Sequence, residues 1–146
     1  MQADCLFISG DLFHRQPLVR DLKEVNYLFT TIPNVKVILI AGNHDRIRDN
    51  SALLSFAWSP NVTFLMEPTL KSVYFEDINT EVYGFSYHTT EIKKPLLEDI
   101  QVPLNNRIQI LMAHGGDASH LPLNFNSLEL SPLFFTLHWD ISTNLS

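Results

Sequence analysis

The sequence of 146 residues has little cysteine and no long apolar run. Cys5 is its only cysteine, so an internal disulfide is excluded, and a small buried thiol in an apolar strand is the expected role. No segment approaches the roughly 18 consecutive apolar residues that a membrane-spanning helix needs. No signal-peptide pattern follows Met1 either. We therefore expect a cytoplasmic protein that does not interact with a membrane.

Basic residues are too few for a generic nucleic-acid-binding surface. Ten Lys and Arg side chains stand against sixteen Asp and Glu side chains, which gives a formal net charge of −6. Proteins contact phosphates mainly through Lys and Arg, so this balance argues against nonspecific binding over the whole surface. It is compatible with a site built from carboxylates that meets phosphate through bound cations.

The order of apolar segments predicts an α/β fold. Residues 3–10 and 35–40 are apolar runs typical of buried strands, and the second has the β-branched pattern of a strand buried on both faces. A helix is predicted between them from Pro17, because proline is favoured in the first helical turn. Apolar residues at spacings of three and four predict its buried stripe: Leu18, Leu22, Val25, Leu28 and Phe29. The three elements form a βαβ unit with parallel strands.

Shorter elements follow this unit. Ser51 is a candidate N-cap of a short helix that reaches Ala57. Strands are predicted at residues 62–66, 71–76, 81–85 and 107–113, with a hairpin turn at 77–80. A helical turn is expected at residues 96–100 and a loop at 117–131.

Polar residues follow three of the predicted strands. Asp11 comes after Ile-Ser-Gly, Asn43, His44 and Asp45 come after Ile-Ala-Gly, and His114 comes after Leu-Met-Ala. The carboxyl ends of neighbouring parallel strands meet at one sheet edge, so Asp11 and Asn43 should lie close together. Alone, each has an ordinary role as a cap, a turn residue or a core histidine. Together, a carboxylate, an amide and an imidazole suit Mn, Fe or Zn better than Ca.

This set of residues predicts hydrolysis of a phosphoester. Asp11 can bridge two metal ions about 3.5–4 Å apart, and such a pair clamps phosphate oxygens and lowers the pKa of a bound water. His44 is a candidate to protonate the leaving oxygen or to stabilise charge on the phosphoryl group. Asp45 would either orient His44 or brace the loop.

Three motifs resemble those of the calcineurin-like metallophosphoesterases: Gly-Asp-Leu-Phe-His from Gly10, Gly-Asn-His-Asp from Gly42, and Leu-Met-Ala-His-Gly ending at Gly115. Within that superfamily, the sequence Ile-Ser-Gly-Asp-Leu-Phe-His-Arg is most similar to bacterial SbcD-like DNA repair exonucleases, including the YhaO type. The resemblance covers the chain from Ala3 to at least His114. It implies a partial metallophosphoesterase sandwich, with sheet layers between helices, over residues 1–132.

The resemblance also implies roles for individual residues. Asp11 would be the bridging ligand, Asn43 and His114 ligands of one metal, and His44 the catalytic histidine. His14 occupies a position where the wider superfamily often has Asp, and we expect it to support the site without binding metal. Two manganese ions in the intact site, DNA as substrate and a coiled-coil ATPase partner are further implications.

Two motifs of the family are not found in this sequence: an Asp-x-His before the first motif and a Gly-His-x-His after the third. We therefore expect a partial metal site and an aberrant tail at residues 133–146. Back-translation of residues 136–143 in a shifted frame permits Tyr-Ile-Ala-Leu-Gly-His-Ile-His, so we predict a frameshifted copy of the last motif. The alternative is a divergent tail in which His138 is an ordinary residue, and the codons of Asp140, Ile141 and Ser142 decide between them.

The resemblance thus implies metal-dependent phosphodiester hydrolysis on DNA. Two alternatives stay open: a catalytically inactive fragment of such an enzyme that at most binds one metal or a partner, and a phosphatase or cyclic nucleotide phosphodiesterase with the same ligands. Arg46 and Arg48 would either touch a phosphate backbone or lie in a solvated loop. His88 and His120 are expected to be ordinary loop residues.

Overall fold

The computed structural model describes residues 3–90, 103 and 105–115, and the backbone of 134–137. Its elements in chain order are β1 (Cys5–Ser9), α1 (Val19–Thr30), β2 (Lys36–Ile40), α2 (Ala52–Ser55), β3 (Val62–Phe64), β4 (Lys71–Phe75), a 3₁₀ turn (Glu76–Ile78), β5 (Thr80–Gly84), β6 (Ile108–Met112) and β7 (Phe134–Leu137). The predicted helical turn at 96–100, the loop at 117–131, His120 and His138 lie outside the described residues.

The strands form two sheets. The first has the order β1-β2-β3 and is parallel throughout, which confirms the predicted pairing of the βαβ strands. Ser9 pairs with Ile40, so β1 and β2 end at the same level and their following loops begin side by side. The second sheet has the order β4-β5-β6-β7, with β4 antiparallel to β5 and the other neighbours parallel.

The hydrophobic core lies between the two sheets. Ile38 and Ile40 of β2 pack with Val82 of β5 and Met112 of β6. The alternate residues of β2, Val37 and Leu39, pack with Phe29 on the other face of the first sheet. Strand β2 is therefore buried on both faces, as its sequence predicts, and the mixed α/β prediction is confirmed in a helix–sheet–sheet arrangement.

The predicted stripe of α1 is wrong at two positions. Leu22 and Phe29 are buried, but Leu18 is 52% exposed and Leu28 is 61% exposed. The helix begins at Val19, and Leu18 precedes its first turn, where its backbone N–H donates to the Asp21 carboxylate at 2.9 Å. Leu28 has the right sequence spacing, but the side of the helix that meets the sheet is centred on Leu22 and Phe29 instead.

Local predictions in the second half of the described chain hold, with shifted bounds. The Ser51 hydroxyl accepts the N–H of Leu53 and so caps α2, although the helix ends at Ser55. A turn closed by Asn79, with a left-handed φ of 49°, joins β4 to β5 and gives the predicted hairpin. The prediction of a buried Cys5 thiol is wrong: Cys5 is only partly buried at the margin of the core, because β1 is an edge strand of the first sheet. Within the described ranges, neither helix has the length and hydropathy to cross a bilayer.

Candidate metal centre

Three polar side chains converge where β1, β2 and β6 end. The Nε2 atom of His114 lies 3.0 Å from Asn43 Oδ1 and 3.4 Å from Asp11 Oδ2. Asp11 and Asn43 follow strands of the first sheet, whereas His114 follows a strand of the second. The cluster therefore spans both sheets of the sandwich.

The ring of His114 is oriented by a backbone carbonyl. Its Nδ1 atom lies 2.9 Å from the Ser9 carbonyl oxygen, which can only accept a hydrogen bond, so Nδ1 carries the proton. In a neutral imidazole, Nε2 then presents a lone pair toward the two oxygens of Asn43 and Asp11. Three acceptors facing one another require a cation or a proton between them, and their O/N chemistry fits a divalent metal.

Asp11 is held in a backbone conformation that few residues adopt. Its φ of 52° lies in the left-handed region, where a residue with a Cβ is strained. One carboxylate oxygen, Oδ1, accepts the backbone N–H of His44 at 3.0 Å. The other, Oδ2, faces His114 and also lies 4.0 Å from His44 Nε2. The carboxylate is therefore oriented toward both histidines.

The glycines that precede Asp11 and Asn43 permit the close approach of the two loops. A Cβ on Gly42 would lie 2.2 Å from Asp11 Oδ1. Gly10 has a φ of 88°, and a Cβ there would lie 2.6 Å from His114 Nδ1. Glycine is thus required at both motif positions by the space that the ligand candidates occupy.

The buried side chain of Asp45 connects the loop that follows β1 to the loop that follows β2. Its Oδ1 accepts the backbone N–H groups of Gly42 at 2.7 Å and Asp11 at 3.2 Å. Its Oδ2 accepts the N–H of Phe13 at 3.2 Å. Burial raises the pKa of Asp45, while these N–H groups act in the opposite direction. The contacts are those of the bracing role, one of the two roles predicted for Asp45.

His44 presents its ring to solvent at the edge of the cluster. Its side chain is 47% exposed, and the ring of His14 stacks on it at a centroid distance of 5.0 Å. The Gln16 amide supports the same loop by donating to the Arg46 carbonyl at 2.9 Å. His44 is therefore accessible to a substrate, and its ring contacts that of His14.

The other candidates from the sequence lie outside the cluster. The Arg46 guanidinium donates to the Asn43 carbonyl at 3.3 Å, so it holds the loop that carries a ligand candidate. Arg48 is exposed. His88 Nε2 lies 2.7 Å from the Met66 carbonyl oxygen and does not join His114 and Asp11.

Sequence reasoning missed Ser86 and Tyr87, which follow β5. The Tyr87 hydroxyl donates to the His114 carbonyl at 3.0 Å, and its ring meets the imidazole edge-on at a centroid distance of 5.3 Å. Burial, and then the charge of Asp11, raise the pKa of Tyr87, so this hydroxyl keeps its proton. The only signal in the sequence is that Ser86 and Tyr87 come shortly after β5, as polar residues come after β1, β2 and β6.

The donor set around His114 is small. Within the described ranges, no group of three or more His, Cys, Asp or Glu side chains is arranged to hold a metal ion. Asp11 and His114 supply two possible metal ligands, and the amide oxygen of Asn43 supplies a third. The described residues thus offer three protein ligands for one ion.

Oxygen and nitrogen donors gathered at strand ends can bind a divalent metal ion, and hydrolysis of phosphoesters is one reaction that such ions catalyse. The chain matches the family model of the calcineurin-like phosphoesterases over residues 1–141, and it belongs to that family. Members of this family generally use divalent metals, which agrees with the donor set around His114. No curated protein matches the chain at a significant level.

Proposed function

We propose that this calcineurin-like phosphoesterase hydrolyses phosphodiester bonds of DNA, as an exonuclease of the SbcD-like repair type. One observation carries the metal dependence. The Ser9 carbonyl fixes a proton of His114 on Nδ1, which leaves Nε2 of the neutral ring as an acceptor beside Asp11 and Asn43. The sequence of the first motif, Gly-Asp-Leu-Phe-His-Arg, supports DNA as substrate because it is similar to that of SbcD-like exonucleases. Manganese is the proposed ion, and a coiled-coil ATPase the proposed partner.

The role of each residue follows from where its polar atoms face. Asp11, Asn43 and His114 would hold the ion through Oδ2, Oδ1 and Nε2. A divalent ion bound there supplies Lewis acidity and lowers the pKa of a coordinated water. His44, with its exposed ring, would hold a proton at Nε2 for the leaving oxygen. His14 would keep that ring in place by stacking on it.

The small donor set favours a second candidate, a relative that binds one ion without catalysis. Hydrolysis by two metal ions needs protein ligands for both ions. The described residues bring three ligand atoms together around a single point, which is enough for one ion. A phosphatase or cyclic nucleotide phosphodiesterase would use the same donors. These activities are therefore separate arms of the test.

The test is Mn²⁺-dependent hydrolysis by the full chain. Substrates are linear duplex DNA, bis(p-nitrophenyl) phosphate as diester, p-nitrophenyl phosphate as monoester, and cyclic AMP. We expect DNA and diester hydrolysis, lower by about 10²- to 10⁴-fold in His44→Ala, as for loss of a general acid. Asp11→Ala should lose Mn²⁺ binding as well as activity. His88→Ala is the matched control, because its imidazole contacts the Met66 carbonyl instead.

The remaining outcomes each decide between the candidates. Hydrolysis of the monoester alone would replace the nuclease with a phosphatase, and hydrolysis of cyclic AMP alone would indicate a cyclic nucleotide phosphodiesterase. Mn²⁺ binding without turnover of any substrate would establish the metal-binding relative. A chain that neither binds Mn²⁺ nor hydrolyses these substrates would refute the proposal.

A further inference from the structure

The candidate metal centre draws its donors from two different sheets. Asp11 and Asn43 follow strands of the first sheet and His114 follows a strand of the second. Backbone pairing fixes positions within a sheet, but between sheets only side chains and loops can do so. Ligand groups must be held within about 0.5 Å of their productive geometry. The groups that connect the two sheets at this edge therefore control the site.

The backbone of Tyr87 forms hydrogen bonds on both sides of the loop that carries Asn43. Its N–H donates to the Ala41 carbonyl at 3.0 Å, before Asn43, and its carbonyl accepts the N–H of Ile47 at 2.8 Å, after it. Tyr87 itself follows β5, in the second sheet. Its main chain is thus attached to the first sheet at the level of the cluster.

The side chain of Tyr87 is bonded to the loop of His114. The hydroxyl donates to the His114 carbonyl at 3.0 Å, and the ring stands at 88° to the imidazole. One residue therefore holds the Asn43 loop with its backbone and the His114 loop with its side chain. We infer that Tyr87 is a positioning residue, which sets the imidazole of His114 against the acceptors of Asp11 and Asn43. This inference rests on the proposed function, in which His114 is a metal ligand.

The test compares Tyr87→Phe and Tyr87→Leu with Tyr83→Phe in the full chain. Tyr83 is a buried tyrosine of β5, so its variant removes a hydroxyl from the strand that leads to Tyr87. We expect Tyr87→Phe to raise the Kd for Mn²⁺ by about tenfold, as for other groups that orient a ligand. Tyr87→Leu should raise it further, because the ring contact is also lost. Tyr83→Phe should bind Mn²⁺ like the wild type.

A second measurement uses the metal-free protein. The imidazole ¹⁵N signals of His114 should report a single Nδ1-protonated ring in the wild type and in Tyr83→Phe. In Tyr87→Phe they should shift or broaden, because the ring is no longer held in one position. Urea unfolding of each variant shows whether a change in Mn²⁺ binding exceeds what its loss of stability explains.

The outcomes separate this inference from the proposed function. If the wild type binds no Mn²⁺, the proposed function fails, and the His114 spectrum still decides the role of Tyr87. If Tyr87→Phe leaves both the His114 spectrum and the Mn²⁺ affinity unchanged, the positioning role is refuted. A loss of Mn²⁺ affinity that is equal in Tyr83→Phe and Tyr87→Phe would refute it too, since it would reflect strand stability alone.

Discussion

Replacing Gly42 by alanine should displace Asp11 and weaken the fold and the site together. The new Cβ would lie 2.2 Å from Asp11 Oδ1 and 2.7 Å from the backbone N of Asp11. The carboxylate could rotate away, but the backbone N could not. Moreover, Oδ1 accepts the N–H of His44, so moving it breaks a hydrogen bond between the two loops.

The size of the effect follows from these contacts. Inserting a methyl group into a packed site costs about 1–3 kcal/mol. Breaking the bond between Asp11 and His44 adds about 1.5–3 kcal/mol, because its acceptor is charged. Alanine also lowers the conformational entropy of the unfolded chain, which offsets about 0.4–1 kcal/mol of this loss of stability. The free energy of unfolding should therefore fall by about 2–5 kcal/mol.

Urea unfolding measures the stability of the Gly42→Ala variant and Mn²⁺ titration measures its site. Gly84→Ala is the matched control, because its Cβ would meet side-chain carbons of Leu65 at 2.9 Å and Ile40 at 3.0 Å in the core. Those carbons can shift, so we expect a smaller loss of stability and unchanged Mn²⁺ binding. A Gly42→Ala variant with wild-type stability and wild-type Mn²⁺ affinity would refute the reasoning.

Substitutions at three further positions test the supporting contacts. Asp45→Ala removes the acceptor of three loop N–H groups and should cost about 2–4 kcal/mol in urea unfolding, with Asp45→Asn costing less because one oxygen is kept. Ser86→Ala leaves the buried N–H of Ala41 without its acceptor and should cost about 1–3 kcal/mol by the same assay. Although burial raises the pKa of Glu81, hydrogen bonds led by that of Arg107 lower it below the ordinary 4.5. Ionised Glu81 therefore stabilises the fold at pH values above its ordinary pKa, and this stabilisation is lost as the pH falls through the lowered pKa. In Glu81→Gln, the free energy of unfolding should therefore fall less steeply with decreasing pH in the acid range. Equal acid slopes in variant and wild type would contradict this.

The pairing of Asp11 with Asn43 could be predicted from the sequence because it depends on local rules. An apolar run, a glycine and a polar residue mark a strand end, and a helix between two such runs makes the strands parallel. The register that pairs Ser9 with Ile40 then brings the two loops together. The same strand-end pattern identifies His114, although the pattern does not reveal that its strand belongs to another sheet.

Contacts between the sheets could not be predicted in this way. No spacing in the sequence relates Tyr87 to His114, because their meeting depends on how two sheets pack. The exposure of Leu28 has a similar cause. Helical spacing identifies the apolar side of a helix, but only part of that side is buried against the sheet. The bracing role of Asp45 needed three backbone N–H groups whose directions follow from the folded loops.

Because its donors come from both sheets, a bound ion should stabilise the sandwich as a whole. Mn²⁺ that binds the folded chain only would add about 2.7 kcal/mol at a concentration one hundred times its Kd. For a domain of this size, that corresponds to a rise in Tm of roughly 5–10 °C. Differential scanning calorimetry with increasing Mn²⁺ measures the rise.

His114→Ala separates this effect from nonspecific binding to an acidic protein. The variant removes the donor of the second sheet and keeps Asp11 and Asn43, so an ion could no longer join the sheets. Its Tm should respond to Mn²⁺ much less than that of the wild type. An equal rise in both proteins would mean that the ion binds elsewhere on a chain of net charge −6, and that the cluster around His114 does not hold it.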